Sequence, residues 1–537
     1  MQVLRILSAV ATFAAASFAG VSAVNATTQA DLLATTSYSY RTYAQITDAL
    51  FALQTKYPSL VEVYSAQSKY GIPLRNELMC VRGGVSAPCQ HYVIEITDES
   101  TLPDAQRPEV FISGALHGDE RVGPQTAIAL AEFLVDQAGR ADGNPWIKRL
   151  VQTRRVVIMP TTNAHGYEKN VREENGIDPN RDFNYDKGST CFQTIVARAV
   201  NEVWRDHLFQ LSITFHGGTR SISYEWGSTN HELSGGGSDR SPDDRAQWYM
   251  AKGMSRFGGK FQEDSTYYPS GPMNDIVYAV NGGMEDWAYA ASWENAYTTP
   301  KPIGVCNPST YGGYAAAKSN YNSATHRSFN ILIETSTAKQ PTTSSLGNNA
   351  TLSEELLADY LPSASTVGHV ARNLRVALMY IDLVQPYVAW KAAPTTASAG
   401  VATTIGWEVA GSITVGSTQL KVSTSADMSA ATLTAAQSGV TRWYHPDFQT
   451  STKANKGLFA QSFTFPSAGT YYVQAVATVD QDWAVQGTGA TLPKPNVKPQ
   501  THVVNARTNP SWSFSNNGRT VTGLTEWASP VLKVVVS

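Results

Sequence analysis

Charge is scarce in this chain. Asp, Glu, Lys and Arg together make up 16% of it, and the formal net charge is −3. Nothing in that balance points to nucleic acid or an anionic membrane as a partner. Cysteine is rarer still. The 537 residues hold four, Cys80, Cys89, Cys191 and Cys306, with no C-x-x-C spacing. This excludes a disulfide-built miniature scaffold and a cysteine zinc or redox motif. Past the N-terminus no apolar run is long enough to cross a bilayer, and the tail Val531–Ser537 is too short for a lipid-anchor signal. No internal repeat is found. Hydrophobic residues reach 42%, which suits a globular chain of two to four domains with a sizeable core.

The N-terminus carries Arg5, then an Ala-rich apolar run over Ile6–Ala19, then the small residues Val21-Ser-Ala23. That pattern predicts a signal peptide over residues 1–23 and a secreted, extracellular protein; the run is too short for a membrane anchor. Four cysteines fit that compartment and allow three pairings. The close spacing of Cys80 and Cys89 favours a small loop, leaving Cys191 with Cys306. Sequons at Asn25 and Asn349 offer glycan sites.

After a short segment over residues 24–37 the chain alternates. Ile46, Leu50 and Leu53 fall at helical spacing before Pro58. Strand-like runs follow at 61–64, 77–81, 91–96 and 110–113, then a helix over Pro124–Val135. Val156–Met159, Leu211–Phe215 and Asn330–Ile333 read as further buried strands, with a helix over Thr194–Phe209 and a closing helix over Thr366–Gln385. The alternation predicts an α/β fold: a mixed, mainly parallel sheet with helices on both faces. Near Trp390 the composition turns to Thr, Ser, Ala, Val and Gly, and helical periodicity ends. Short strands predicted at 403–408, 419–423, 462–465, 470–477 and 531–536 make residues 389–537 an all-β sandwich. The α/β domain then spans residues 38–388.

Ser113-Gly-Ala-Leu-His-Gly-Asp-Glu120 stands between a buried strand and its helix, where ligands bind in open α/β sheets. His117 and Glu120 can grip one metal ion from two sides, but Zn²⁺ needs further ligands. A lone His-x-x-Glu is most often a surface pair. His216 closes the run Leu211-Ser-Ile-Thr-Phe-His and precedes Gly217-Gly218, a second site-like setting. His165 lies in what reads as a turn and is weaker; His91, His207, His231, His326, His369, His445 and His502 have no such context. Arg172 and the pair Asn180-Arg181 offer fixed donors for an anion. Glu334 ends a buried strand, where desolvation raises a carboxyl pKa towards the range useful for proton transfer.

Taken in order, His117-x-x-Glu120, Arg172, Asn180-Arg181, His216, Tyr278 before Gly282-Gly283, and Glu334 resemble the zinc metallocarboxypeptidases. The likeness runs from about Tyr38 to Tyr387. Asp178-Pro-Asn-Arg-Asp-Phe183, Gly282-Gly-Met-Glu-Asp-Trp287 and Glu334-Thr-Ser-Thr are most similar to the branch with carboxypeptidases E, N and D, in which a β-sandwich follows the catalytic domain. The resemblance implies one Zn²⁺ held by His117, Glu120 and His216. It implies Glu334 as general base, Arg172 as oxyanion stabiliser, and Asn180, Arg181 and Tyr278 as the clamp on a peptide or protein C-terminus. Glu285, two residues after Gly283, would face the pocket for the terminal side chain and favour Lys or Arg. The branch's pocket Asp is replaced by Gly227 here, with Glu225 nearby. About fifteen residues between signal and domain are too few for a folded pro-domain, so the enzyme is expected to be made active. Two other readings compete: a cell-wall peptide amidase or carboxypeptidase with the same zinc chemistry, and a non-catalytic binding protein whose β module holds a surface or cell-wall ligand.

Overall fold

A computed structural model describes residues 36–104, 107–241, 243–292, 294, 302–319, 328–349, 368–412, 414–441, 457–480, 513–516, 519–522 and 526–537. The expected signal peptide, the Asn25 sequon and Thr351 of the second sequon lie outside these residues, as do His326, His445 and His502.

Ten strands build the first part of the chain: β1 (Val61–Ser65), β2 (Met79–Arg82), β3 (Val85–Pro88), β4 (Tyr92–Ile96), β5 (Glu109–Gly114), β6 (Arg155–Met159), β7 (Phe209–His216), β8 (Arg220–Tyr224), β9 (Ser270–Pro272) and β10 (Phe329–Thr335). Eight of them form one sheet in the order β1-β4-β6-β5-β7-β10-β8-β9; β2 and β3 form a separate hairpin. β5 pairs in parallel with β6 and β7, β7 with β10, and β8 with β9, while β1–β4, β4–β6 and β10–β8 are antiparallel. The sheet is therefore mixed, with four of seven pairings parallel. Every residue of β5 and β6 is buried, as expected of central strands covered on both faces.

Side chains alternate along β7, and the two faces meet different helices. Phe215 packs against Gly123 in the helix Val122–Gly139, whereas Thr214 reaches Met284 in the helix Met284–Ala290, its Oγ1 3.7 Å from the sulfur. His216 shares the Thr214 face. Trp204, from the helix Ile195–Asp206, fills the same side between Phe111, Phe209 and Trp287. The first helix, Tyr43–Lys56, opens on a reciprocal capping box between Thr42 and Gln45 and stops short of Pro58.

Several predicted bounds shift. The run expected from Glu77 becomes a strand at Met79. The helix expected to reach Phe209 ends at Asp206, because Phe209 opens β7. His165 sits in a short helix, Ala164–Lys169, that Asn163 caps by accepting the Gly166 N–H, rather than in a turn. The hairpin β2–β3 carries the Cys80–Cys89 disulfide, and Cys191 pairs with Cys306.

From Tyr387 onward the described chain is β-rich. Tyr387–Ala392, Ala402–Ala410 and Leu458–Thr464 form one antiparallel sheet, and a seven-stranded sheet centres on Thr414–Ser423 and Gly469–Asp480. Trp407, Phe459, Leu420 and Val473, from both sheets, belong to one buried cluster. Asp382, in the helix His369–Leu383, ties this region to the α/β part. It accepts hydrogen bonds from the Trp146 indole at 2.9 Å, the Tyr387 hydroxyl at 3.1 Å and the Gly411 N–H at 3.3 Å.

The turn after β5 is tight. Ala115 holds a left-handed φ of 52°, a conformation that costs a non-glycine residue ~1–3 kcal/mol. A Cβ on Gly118 would fall on the Gly166 and Tyr167 backbone. Gly118→Ala is expected to lower stability by at least ~1–3 kcal/mol, read as a drop in thermal midpoint. His231 gives a second expectation. It stacks on Trp226 with ring centroids 3.7 Å apart, and its Nε2 lies 2.7 Å from Glu294. Burial opposes its charge, but Asp239 and Glu294 outweigh that and raise its pKa to about 9. The raised value contributes stability that is full below the unfolded-state pKa near ~6.5 and is lost as pH rises through about 9. Denaturant titrations from pH 6 to 10 should show this loss, and His231→Gln should flatten it.

Candidate metal and catalytic site

The site gathers at the C-terminal ends of β5, β7 and β10. β5 ends at Gly114 and its turn delivers His117 and Glu120; β7 ends on His216; β10 carries Glu334. The parallel register sets His216 directly opposite Glu334. Among the described residues, His117, Glu120 and His216 are the one group of three or more such side chains able to share a metal, with ligand atoms all within 4.8 Å of one another. Glu120 lies between the imidazoles: Oε1 is 2.9 Å from His117 Nδ1, and Oε2 is 2.9 Å from His216 Nδ1. The two Nδ1 atoms are 3.1 Å apart. Tetrahedral zinc with bonds near ~2.1 Å spaces its ligands about 3.4 Å apart, so this donor set fits the ion with small adjustments. Two imidazoles and one carboxylate also suit zinc chemically. All three residues are buried. Burial opposes ionisation of Glu120, yet the two imidazoles hold its carboxyl well below the usual range.

Glu334 is different. Burial pushes its pKa up to about 7, with Glu120 adding to the rise and His216 opposing it. Its Oε2 has no hydrogen-bond partner among the described residues. A carboxyl in that state can both take and return a proton near neutral pH.

Asp178 was not singled out from sequence, yet it organises one side of the site. It caps a one-turn helix, Pro179–Arg181, by accepting the Asn180 N–H at 2.9 Å. The same Oδ1 lies 3.0 Å from His117 Nε2, and Oδ2 accepts from Arg172 Nε at 2.9 Å. Burial would raise its pKa, but His117, Arg172 and Arg181 keep it well below the carboxylate range. A ring nitrogen paired with a carboxylate fixes the tautomer that leaves the other nitrogen free for a metal. The one legible signal was Asp before Pro, an N-cap pattern.

The remaining predicted residues surround this centre. Arg172, whose side chain is 28% exposed, also donates to Glu120 Oε1 at 3.2 Å. Arg181 points outward, with Nη2 3.3 Å from the Tyr278 hydroxyl; Tyr278 itself is 56% exposed. Its flank includes a helical turn at Met273–Ile276. Asn180 turns inward instead. Its Oδ1 accepts the Met284 N–H at 2.8 Å, so its Nδ2 faces His216 Nε2 at 3.4 Å and Glu285 Oε2 at 3.3 Å. Glu285 is buried beside them, 3.7 Å from His216 Nε2. Glu225 is also buried; it accepts the Asn330 N–H at 3.2 Å, and its Oε2 has no hydrogen-bond partner among the described residues. Met273 fills the space beside Gly227.

Residues 81–301 match the family described as zinc carboxypeptidase. Carboxypeptidase D of Anas platyrhynchos is 29% identical over 254 residues, covering 44% of this chain and 17% of that protein. The human carboxypeptidase N catalytic chain is 26% identical over 300 residues, covering 48% of this chain and 61% of that one. The chain thus spans less than two thirds of either relative. Among solved structures, carboxypeptidase A from Helicoverpa armigera aligns over 63% of this chain and 72% of its own, with 14% identity and a TM-score of 0.40. The chain carries a zinc carboxypeptidase domain homologous to carboxypeptidase D and to the carboxypeptidase N catalytic chain. Glu334 lies beyond the matched span.

If the three-residue centre holds zinc, one equivalent should bind, and saturating metal at about 100 times Kd should add ~2.7 kcal/mol of stability. Glu120→Ala should abolish that metal-dependent rise in thermal midpoint while the metal-free protein stays folded.

Proposed function

We propose that this protein is a secreted zinc metallocarboxypeptidase that removes single C-terminal residues from peptides and proteins. The observation that carries the reading is the placement of Glu334, a largely desolvated carboxyl whose pKa is pushed up to about 7, directly opposite His216 of the three-residue metal centre. His117, Glu120 and His216 hold the zinc. Bound zinc supplies Lewis acidity to the scissile carbonyl and lowers the pKa of water.

Glu334 takes the proton of the attacking water and returns it to the leaving amine. Arg172 stabilises the charge that develops on the carbonyl oxygen, and Asp178 holds its guanidinium in place. Arg181 and Tyr278, neighbours at the exposed mouth, clamp the substrate's terminal carboxylate together with Asn180. The clamp makes the cut terminal. A side-chain preference for Lys or Arg fits the acid buried beside Asn180, Glu285, with Glu225 as a second buried acid that could serve it. We divide the chain into a catalytic domain over residues 38–388 and an accessory β-sandwich over 389–537. The signal segment over 1–23 directs it outside the cell, and the sandwich serves a surface or cell-wall ligand.

Turnover of N-blocked peptides differing only in the last residue, with and without a chelator, tests this. Chelator-sensitive release of Lys and Arg is expected. Glu334→Gln should lower kcat by about 10²–10⁴-fold while leaving zinc binding in place. Release of Phe or Leu alone would remove the basic preference. Zinc-bound protein that releases nothing would point to the cell-wall or non-catalytic readings.

A further inference from the structure

His216 has two ring nitrogens, and only one faces the metal centre. Nδ1 is the atom set against Glu120 and His117. For Nδ1 to bind a metal its lone pair must be free, so the proton of the neutral ring sits on Nε2. That N–H is buried and needs an acceptor. Asn180 cannot supply one. Its Oδ1 is taken by the Met284 N–H, and that bond turns its amide donor towards the ring. Glu285 offers one. Its Oε2 receives the Asn180 amide at 3.3 Å. Its Oε1 lies 3.7 Å from His216 Nε2 and takes no hydrogen bond among the described residues.

The other imidazole is held the same way, with Asp178 Oδ1 3.0 Å from His117 Nε2. The helix that brings Glu285 is fixed independently of any metal. Its N-terminal N–H, from Met284, is bonded to Asn180, and its side chains from Met284 to Ala290 are buried.

We propose that Glu285 is a positioning residue for the metal ligand His216, accepting its Nε2 proton and so fixing the tautomer and ring plane. This rests on the metal centre of the proposed function and deepens it. Glu285 then faces the metal ligand as well as the Asn180 amide.

The test compares wild type with Glu285→Leu, which removes the acceptor, and Glu285→Gln, which keeps an oxygen there without its charge. Zinc affinity is measured by chelator competition, together with the thermal midpoint of the metal-free proteins. Carboxylates behind ligating histidines are worth about 10–100-fold in metal affinity. Glu285→Leu should therefore weaken zinc binding towards about 100-fold and Glu285→Gln towards about 10-fold, with metal-free midpoints close to wild type. Zinc affinities within twofold of wild type would overturn the proposal, and so would a collapse of the Lys preference at unchanged affinity. If Glu285→Leu does not fold, Glu285→Gln decides alone by the same limits. Wild-type protein without zinc affinity would sink the metal centre itself, a failure distinct from that of Glu285.

Discussion

The parallel pairing of β7 with β10 is the constraint on which the site depends. A one-residue slip would turn His216 and Glu334 to the opposite face of the sheet, because side chains alternate. The register is held by burial on both sides. Ile213 and Phe215 are buried on the face towards the helix Val122–Gly139, while Thr214 bonds across to Asn330 at 3.1 Å on the other. Thr335 then ties the strand ends together by donating to the His216 carbonyl at 2.7 Å. The hydrophobic core therefore fixes the distance between a metal ligand and a proton-transfer group.

Around that pair the site is assembled from carboxylates that serve different ends. Glu120 stands between two imidazoles and stays ionised. Asp178 is surrounded by donors and also stays ionised, holding His117, Arg172 and the Asn180 backbone in one arrangement. At Glu334 desolvation outweighs the pull of His216, His117 and the Thr219 backbone, and its proton affinity rises. The same chemical group thus takes separate roles because its surroundings set the balance between desolvation and pairing. The second observation of this kind is Glu285, whose neighbours are Asn180 and His216 rather than open space.

The strand-to-helix turn at His117 shows how local strain and packing combine. Ala115 sits in a left-handed conformation, and Gly118 lies against the backbone of the helix Ala164–Lys169. That contact leaves the turn little freedom. Its two ligating side chains leave the turn only three residues apart, so fixing the backbone fixes both at once.

The sequence by itself determined the α/β alternation, the buried central strands and the strand-end placement of His117, Glu120, His216 and Glu334. Apolar runs of 4–6 residues ending in a polar group are local patterns, and burial of both sheet faces makes them continuous. Short edge strands such as Ser270–Pro272 carry no such run and were not legible, and neither was the helical start of the Tyr278 flank. Only the tertiary structure decided what each side chain faces. Asp178 drew no role of its own in the sequence, yet it meets His117, 61 positions earlier. Asn180 takes its orientation from the Met284 N–H, 104 positions later, which nothing in its own segment reveals. Such contacts depend on how distant elements close over one another, and no periodicity within a segment encodes them.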